Sequence, residues 1–161
     1  MSEAQPARPA PPPPPPVTDV KFTEDIKEVV GGSYAAGAPA LIAYVDPNGQ
    51  PSLSFRGSTQ VYSDNQLAVW IRSGSNLPQA LAANPRVSIM IRVPETRATL
   101  NFRGRARLDN SDDVRKTVYE SAPENEQKAD PERKGTPLIL DIDRLDGRTP
   151  AGAYRMVRGG G

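Results

Sequence analysis

The chain contains no cysteine and no histidine. The first absence removes disulfides, thiolate metal sites and cysteine nucleophiles. The second removes the commonest general base, the commonest metal ligand and the usual axial ligand of haem. Aromatic residues make up only 6% of the sequence and the formal net charge is +1, which argues against both a base-stacking surface and a global field for nucleic acid. No apolar run is long enough to span a membrane, and the N-terminus lacks the apolar core of a secretory signal. The expectation is a cytoplasmic protein with no membrane and no nucleic-acid partner. Chemistry, if any, has to rest on a bound cofactor or on carboxylates, lysine, tyrosine and backbone donors.

What the chain does have is proline, concentrated at one end. Residues 1–19 read as a disordered proline-rich tail, with an uninterrupted run at Pro11–Pro16. Such a run has no N–H donors and adopts an extended polyproline conformation. It is a solvated tail or a ligand for a proline-reading module. Residues 20–158 are long enough to bury one core, and 159–161 read as a flexible C-terminus.

Along that domain, Thr23 is placed to cap a helix whose apolar face is Phe22, Ile26, Val29 and Val30, with Gly31-Gly32 as its end. Leu41–Val45 and Ser52–Arg56 flank Asp46-Pro47-Asn48-Gly49-Gln50, a hairpin turn. Gln60–Tyr62 and Leu67–Ile71 read as the next strands. Ser75 or Asn76 caps a short helix with Pro78 in its first turn, stopped by Asn84-Pro85. Val87–Val93 alternates apolar and polar. Ala98–Leu108 does the same, with Leu100, Phe102 and Ala106 on one face, Asn101, Arg103, Arg105 and Arg107 on the other, and Gly104 marking a bulge or a close approach. Asn110 with Asp113 reads as a capping box for a helix bearing Val114 and Val118. Pro123–Gly135 reads as an exposed loop, Pro137–Ile142 as a strand, Asp143–Pro150 as a loop and Ala153–Val157 as a last short strand. The fold class is mainly β: a closed antiparallel barrel with a few short helices.

Two polar stretches, Ser54–Gln60 and Arg72–Asn76, are rich in hydroxyls, arginine and backbone donors, which suits a bound phosphate. Arg92, Arg103, Arg105 and Arg107 form a second set. They read as a solvated face, a dimer surface or a pocket for an acidic substrate. Asp112-Asp113 and Glu124/Glu126 read as cap and loop charges with no metal geometry.

The order of these elements resembles the pyridoxamine 5'-phosphate oxidase-like proteins, the FMN-binding split barrels. The resemblance is carried by Pro39–Pro51, Ser54–Gln60, Val69–Ser75, Asn84–Ser88 and Asn101–Leu108. It implies a six-stranded antiparallel split β-barrel and a homodimer with two FMN sites at the interface. The implied cofactor-binding residues are Ser54, Arg56, Gly57, Ser58, Thr59, Trp70, Ile71, Arg72, Ser75, Asn76 and Thr99 or Asn101. Arg56 matches the family's phosphate-binding arginine. Trp70 and Ile71 match the pair that flanks the flavin ring, although a lone tryptophan on a strand also reads as core packing. Tyr154 and Arg155 match C-terminal residues that reach the partner's flavin. The sequence departs from the pattern at Asn76-Leu77, where many members carry Arg-Lys, and it has no C-terminal Arg-x-His. The implied activity is that of an FMN-dependent oxidoreductase acting on a small molecule. The alternatives are a non-catalytic flavin binder, a reductase using the 8-hydroxy-5-deazaflavin coenzyme, or a scaffold whose tail recruits a partner.

Overall fold

The computed structural model describes residues 7–161. In chain order the elements are β1 (Val17–Thr18), α1 (Glu24–Gly32), β2 (Ala40–Val45), β3 (Pro51–Arg56), β4 (Gln60–Ser63), β5 (Gln66–Ile71), α2 (Leu77–Ala83), β6 (Arg86–Val93), β7 (Ala98–Leu108), α3 (Asp112–Glu120), α4 (Glu124–Lys128), β8 (Thr136–Thr149) and β9 (Gly152–Val157). The strands make one sheet in the order β1-β9-β8-β7-β6-β2-β3, with β5 also on β8 and β4 on β5. No helix among the described residues is long and apolar enough to cross a membrane.

The split comes from β8. Its first half, Thr136–Asp141, pairs with β5, and its second half, Arg144–Thr149, pairs with β9, while β7 runs beside both. Fourteen residues of strand can serve two partners on the same edge in succession. The sheet then curls until the inward residues of its two halves share one core. Ile42, Leu67, Ile89, Ile91, Leu100, Phe102, Leu138, Leu140 and Leu145 are all fully buried there. Helix α1 closes one end. Phe22 meets Phe102 edge-on with ring centroids 5.6 Å apart, and Ile26 and Val30 follow it inward. Each such side chain contributes about 1.5–3 kcal/mol by leaving water. Helix α3 covers the other face of β5 and β8, where Val118 and Tyr119 pack on Ala68, Trp70 and Ile139.

The alternating strands form as expected. In β6, Val87, Ile89, Ile91 and Val93 point inward, and the β2–β3 hairpin turns with Gly49 at φ 82° while the Asp46 carboxylate accepts from the N–H groups of Asn48 and Gln50. Several expectations are corrected. Among the described residues the sheet has nine strands rather than six. The six-strand expectation leaves out the two-residue β1, which lies inside the stretch read as tail and pairs in parallel with β9. Residues 1–6 of that tail lie outside the described residues; Arg8–Pro14 are exposed and have no regular structure. Gly159 donates to Asp19 at 2.8 Å, so part of the C-terminal glycine stretch is tied to the chain's other end. Gly31 and Gly32 lie within α1, Ser111 rather than Asn110 is the N-cap of α3, and Pro123–Gly135 contains α4.

The segment read as the loop Asp143–Pro150 is strand as far as Thr149. The cause is a bulge: Gly104 pairs with Ile142 and Arg103 with Arg144, leaving Asp143 as the extra residue. Burial therefore skips from Ile142 to Leu145, and the two-residue period that marks a strand is lost at that point.

Candidate cofactor site

The β2–β3 register decides which side chains of β3 face inward. Arg56 lies opposite Ala40, Ser54 opposite Ile42 and Ser52 opposite Tyr44, all three partners being buried. Directly paired residues share a face, so Ser52, Ser54 and Arg56 turn inward and Leu53 and Phe55 outward. Arg56 is half-buried at the strand's end. One terminal nitrogen, Nη2, reaches Ser75 Oγ at 3.5 Å, the outer limit of a hydrogen bond. The Nε of Arg56 and the Oγ of Ser54 are buried with no partner among the described residues. Burial lowers the Arg56 pKa; Arg72 nearby acts in the same direction, while Tyr44 and Glu126 act against it. An unpartnered guanidinium nitrogen and a hydroxyl on one face are costly without an acceptor. A phosphate or carboxylate oxygen is such an acceptor.

Arg56 opens into a cleft of about 260 Å³ lined also by Tyr34, Pro39, Phe55, Gly57, Trp70, Arg72 and Glu126. At Gly57 a β-carbon would stand 2.6 Å from both Tyr34 Cε2 and Glu126 Oε1, so a side chain there would push into the wall of the cleft. The start of α2 completes the setting, with the side-chain oxygens of Ser75 and Asn76 engaged as acceptors. Ser75 Oγ accepts from the Leu77 N–H at 3.2 Å, and the Asn76 side-chain oxygen accepts from the Tyr44 hydroxyl. Leu77 is fully buried in the core. The Asn76-Leu77 departure therefore adds packing where a cationic pair would add charge. The set that fits a phosphate is one arginine with neutral donors, and Arg72, exposed, is the other cation lining the cleft.

The structure brings Ser54, Arg56, Gly57, Trp70, Arg72, Ser75 and Asn76 to this region. Ser58 and Thr59 are buried and hold the corner in place. Ser58 Oγ donates to the Trp70 carbonyl at 3.1 Å and accepts from the Trp70 N–H at 3.0 Å, and Thr59 Oγ1 donates to the Arg56 carbonyl at 2.8 Å. Ile71 is in the core. Trp70 is chiefly a packing residue: its ring meets Tyr119 edge-on at 5.1 Å and its Nε1 donates to Asp130. Thr99 and Asn101 are not brought to Arg56 within one chain. They sit on β7, three strands from β3, where Thr99 Oγ1 accepts from Arg92 at 2.8 Å. Tyr154 donates to Asp25 at 2.6 Å. Sequence reasoning missed Tyr34, Tyr44 and Glu126. Tyr44 sits at an apolar position of a strand, and nothing in the pattern reveals that its hydroxyl meets Asn76.

No family model matches this chain, and no curated protein sequence matches it significantly. Solved structures do. The crystal structure of HupZ from Group A Streptococcus is 18% identical and matches with a TM-score of 0.62 over 83% of this chain and 98% of that one. A pyridoxamine 5'-phosphate oxidase-related, FMN-binding protein from Nostoc punctiforme is 17% identical, with a TM-score of 0.62 over 80% of this chain and 83% of its own. A protein of the pyridoxinephosphate oxidase family from Clostridium acetobutylicum, related to general stress protein 26, is 8% identical, with a TM-score of 0.60 over 84% and 96%. The fold is the split barrel of the pyridoxamine 5'-phosphate oxidase family. At these identities the likeness is one of fold, and split barrels of one shape carry different functions.

Proposed function

We propose that this split barrel binds FMN, with Arg56 as the phosphate anchor, and acts as a flavin-dependent oxidoreductase on a small molecule. The observation that carries the reading is the pair of buried, unpartnered polar atoms, Arg56 Nε and Ser54 Oγ, beside a cleft in an FMN-type fold. A bound flavin supplies hydride or electron transfer itself. The chain's part is to hold the phosphate, to orient the cofactor against the Gly57 corner and to exclude water. Ser58 and Thr59 keep that corner rigid. The cytoplasm, where flavins and reduced nicotinamides are available, is the compartment this reading implies.

The reading includes a homodimer. Leu53 and Phe55 are 67% and 69% exposed on the outward face of β3, and Met90 is 40% exposed beside Leu41, which pairs with it. Among the described residues β3 pairs only with β2, which leaves its other edge open. An exposed apolar strand at a free edge is a liability that a second copy removes.

A second reading, a flavin binder without turnover, is favoured by the start of α2, which carries no cation. Titration with FMN and with the 8-hydroxy-5-deazaflavin coenzyme, followed by fluorescence, tests both cofactors. Arg56→Ala is expected to weaken FMN at least about tenfold, or about 1.4 kcal/mol. An unchanged affinity removes Arg56 from the site. Reduction of the bound flavin by NAD(P)H and reoxidation by an acceptor separates the enzyme from the binder.

A further inference from the structure

On the outward face of β6, β7 and β8, arginine is set directly opposite arginine. Arg86 on β6 pairs in register with Arg105 on β7, and Arg103 on β7 pairs with Arg144 on β8. Like charges directly across a sheet repel. The neighbouring arginines have carboxylates: Arg107 has Asp109 at 3.2 Å, Arg144 has Asp146, and Arg158 has Asp143 at 3.0 Å. No carboxylate among the described residues lies within 4.0 Å of a nitrogen of Arg86, Arg103 or Arg105.

These three line a concavity of about 540 Å³. Its other walls include the apolar Ala43, Val45 and Pro51 at the hairpin end of β2 and β3, with Ser88 as a neutral donor. Asp143 also lines it, its charge engaged by Arg158. The β7–β8 register shifts between Arg103 and Gly104, and such bulges bend a strand and re-aim its side chains.

We propose that this concavity binds a small molecule with an apolar body and at least two anionic groups. Three guanidinium groups with no ion pair within 4.0 Å, although Asp141 lies across from Arg105 and Asp146 feels the charge of Arg103, supply paired donors for carboxylate, sulfonate or phosphate oxygens. The apolar walls supply a surface that bulk anions do not use. The scarcity of aromatic residues and a net charge of +1 weigh against a nucleic-acid strand as the occupant. The concavity shares no lining residue with the Arg56 cleft, and Arg56 turns inward beside Ala40 whereas these arginines turn outward; Tyr44, which lines the concavity, bonds Asn76 behind it.

The test is calorimetric titration of the full chain with naphthalene-1,5-disulfonate. Saturable binding at one site per chain is expected. It weakens at least tenfold in Arg103→Gln/Arg105→Gln and stays unchanged in Arg56→Ala. The double variant relieves repulsion between exposed side chains, so its thermal unfolding midpoint is expected not to fall. Arg105→Lys, which keeps the charge and loses the planar fork, gives an intermediate affinity. Equal affinity in the double variant, or no saturable binding by the wild type, overturns the proposal. So does a single-stranded oligonucleotide that binds more tightly and displaces the probe. Unchanged FMN affinity in Arg56→Ala, with disulfonate binding intact, counts against the Arg56 reading alone.

Discussion

The indole N–H of Trp70 donates to the carboxylate of Asp130 at 2.9 Å, across 60 residues of chain. The same carboxylate accepts from the Gly135 N–H at 2.8 Å and the Lys134 N–H at 3.0 Å, and Asp130 is buried. One side chain thus ties the α4 segment to the wall of the barrel behind the Arg56 cleft. Burial by itself pushes the Asp130 carboxyl up. Hydrogen bonds from Trp70, Gly135 and Lys134, with the charge of Arg115, outweigh it and hold the carboxyl below its ordinary value.

Removing that acceptor leaves a buried indole N–H and two backbone N–H groups unpaired. Asp130→Ala is expected to cost about 3 kcal/mol, within the range for orphaned buried donors. Chemical denaturation with Trp70 fluorescence measures it directly, since Trp70 is the sole tryptophan. A cost below about 1 kcal/mol would mean that water replaces the carboxylate.

Asp25 is a second tie, between the start of α1 and the end of the sheet. Its carboxylate accepts from Thr23, from Thr149 and from Tyr154. Burial opposes its charge, but these three hydrogen bonds lower its pKa from 3.8 to about 2. The folded value lies below the unfolded one, so the stabilisation is fully present above the unfolded pKa. It is lost as pH falls from about 4 towards 2. Asp25→Asn is expected to lower the thermal midpoint at pH 7 and to flatten its decline over that acid window. A decline identical to that of the wild type would assign the acid sensitivity to other carboxylates.

Gly104 sits where two strands nearly touch. A β-carbon there would stand 1.8 Å from the Asp141 carbonyl oxygen, and that atom belongs to the β8 backbone. Neither strand can yield without breaking the β7–β8 ladder. Gly104→Ala is expected to cost about 3 kcal/mol or more. Gly31→Ala is the control: nothing lies within 4 Å of its β-carbon and it is inside α1. It should stabilise by about 0.5–1 kcal/mol. Paired urea denaturation curves give both values.

If the outward face of β3 joins two copies, Leu53→Ser with Phe55→Ser should shift the protein from dimer to monomer. Sedimentation velocity at several concentrations reads this. Both residues are exposed in the single chain, so the fold of the variant should survive. A wild type that is monomeric throughout removes the homodimer from the proposed function.

Much of the barrel was legible in the chain because its signals are local. The Asp46–Gln50 turn, the alternation along β6 and the inward Leu100, Phe102 and Ala106 of β7 follow from dihedral preference and two-residue periodicity. Those rules also mark Arg56 as a polar residue at a strand end and Gly104 as a bulge or a point of close approach. The missing cysteine and histidine narrow any chemistry to a bound cofactor or to carboxylates, lysine, tyrosine and backbone donors.

The tertiary structure decided the rest, and for one reason: these features depend on which distant segments meet. β8 runs on past Ile142 because its bulge at Asp143 is matched by β7 and β9, and no local pattern records that. Asp130 is a surface charge by its sequence neighbours and a buried acceptor only because Trp70 arrives beside it. Arg56 reaches Ser75, on a segment its own strand does not specify, with Nη2 alone, and its Nε has no partner among the described residues. Arg86 faces Arg105 only once the register is set. Residue type is written in the chain; whether a charge is neutralised, buried or left waiting for an anion is settled by packing.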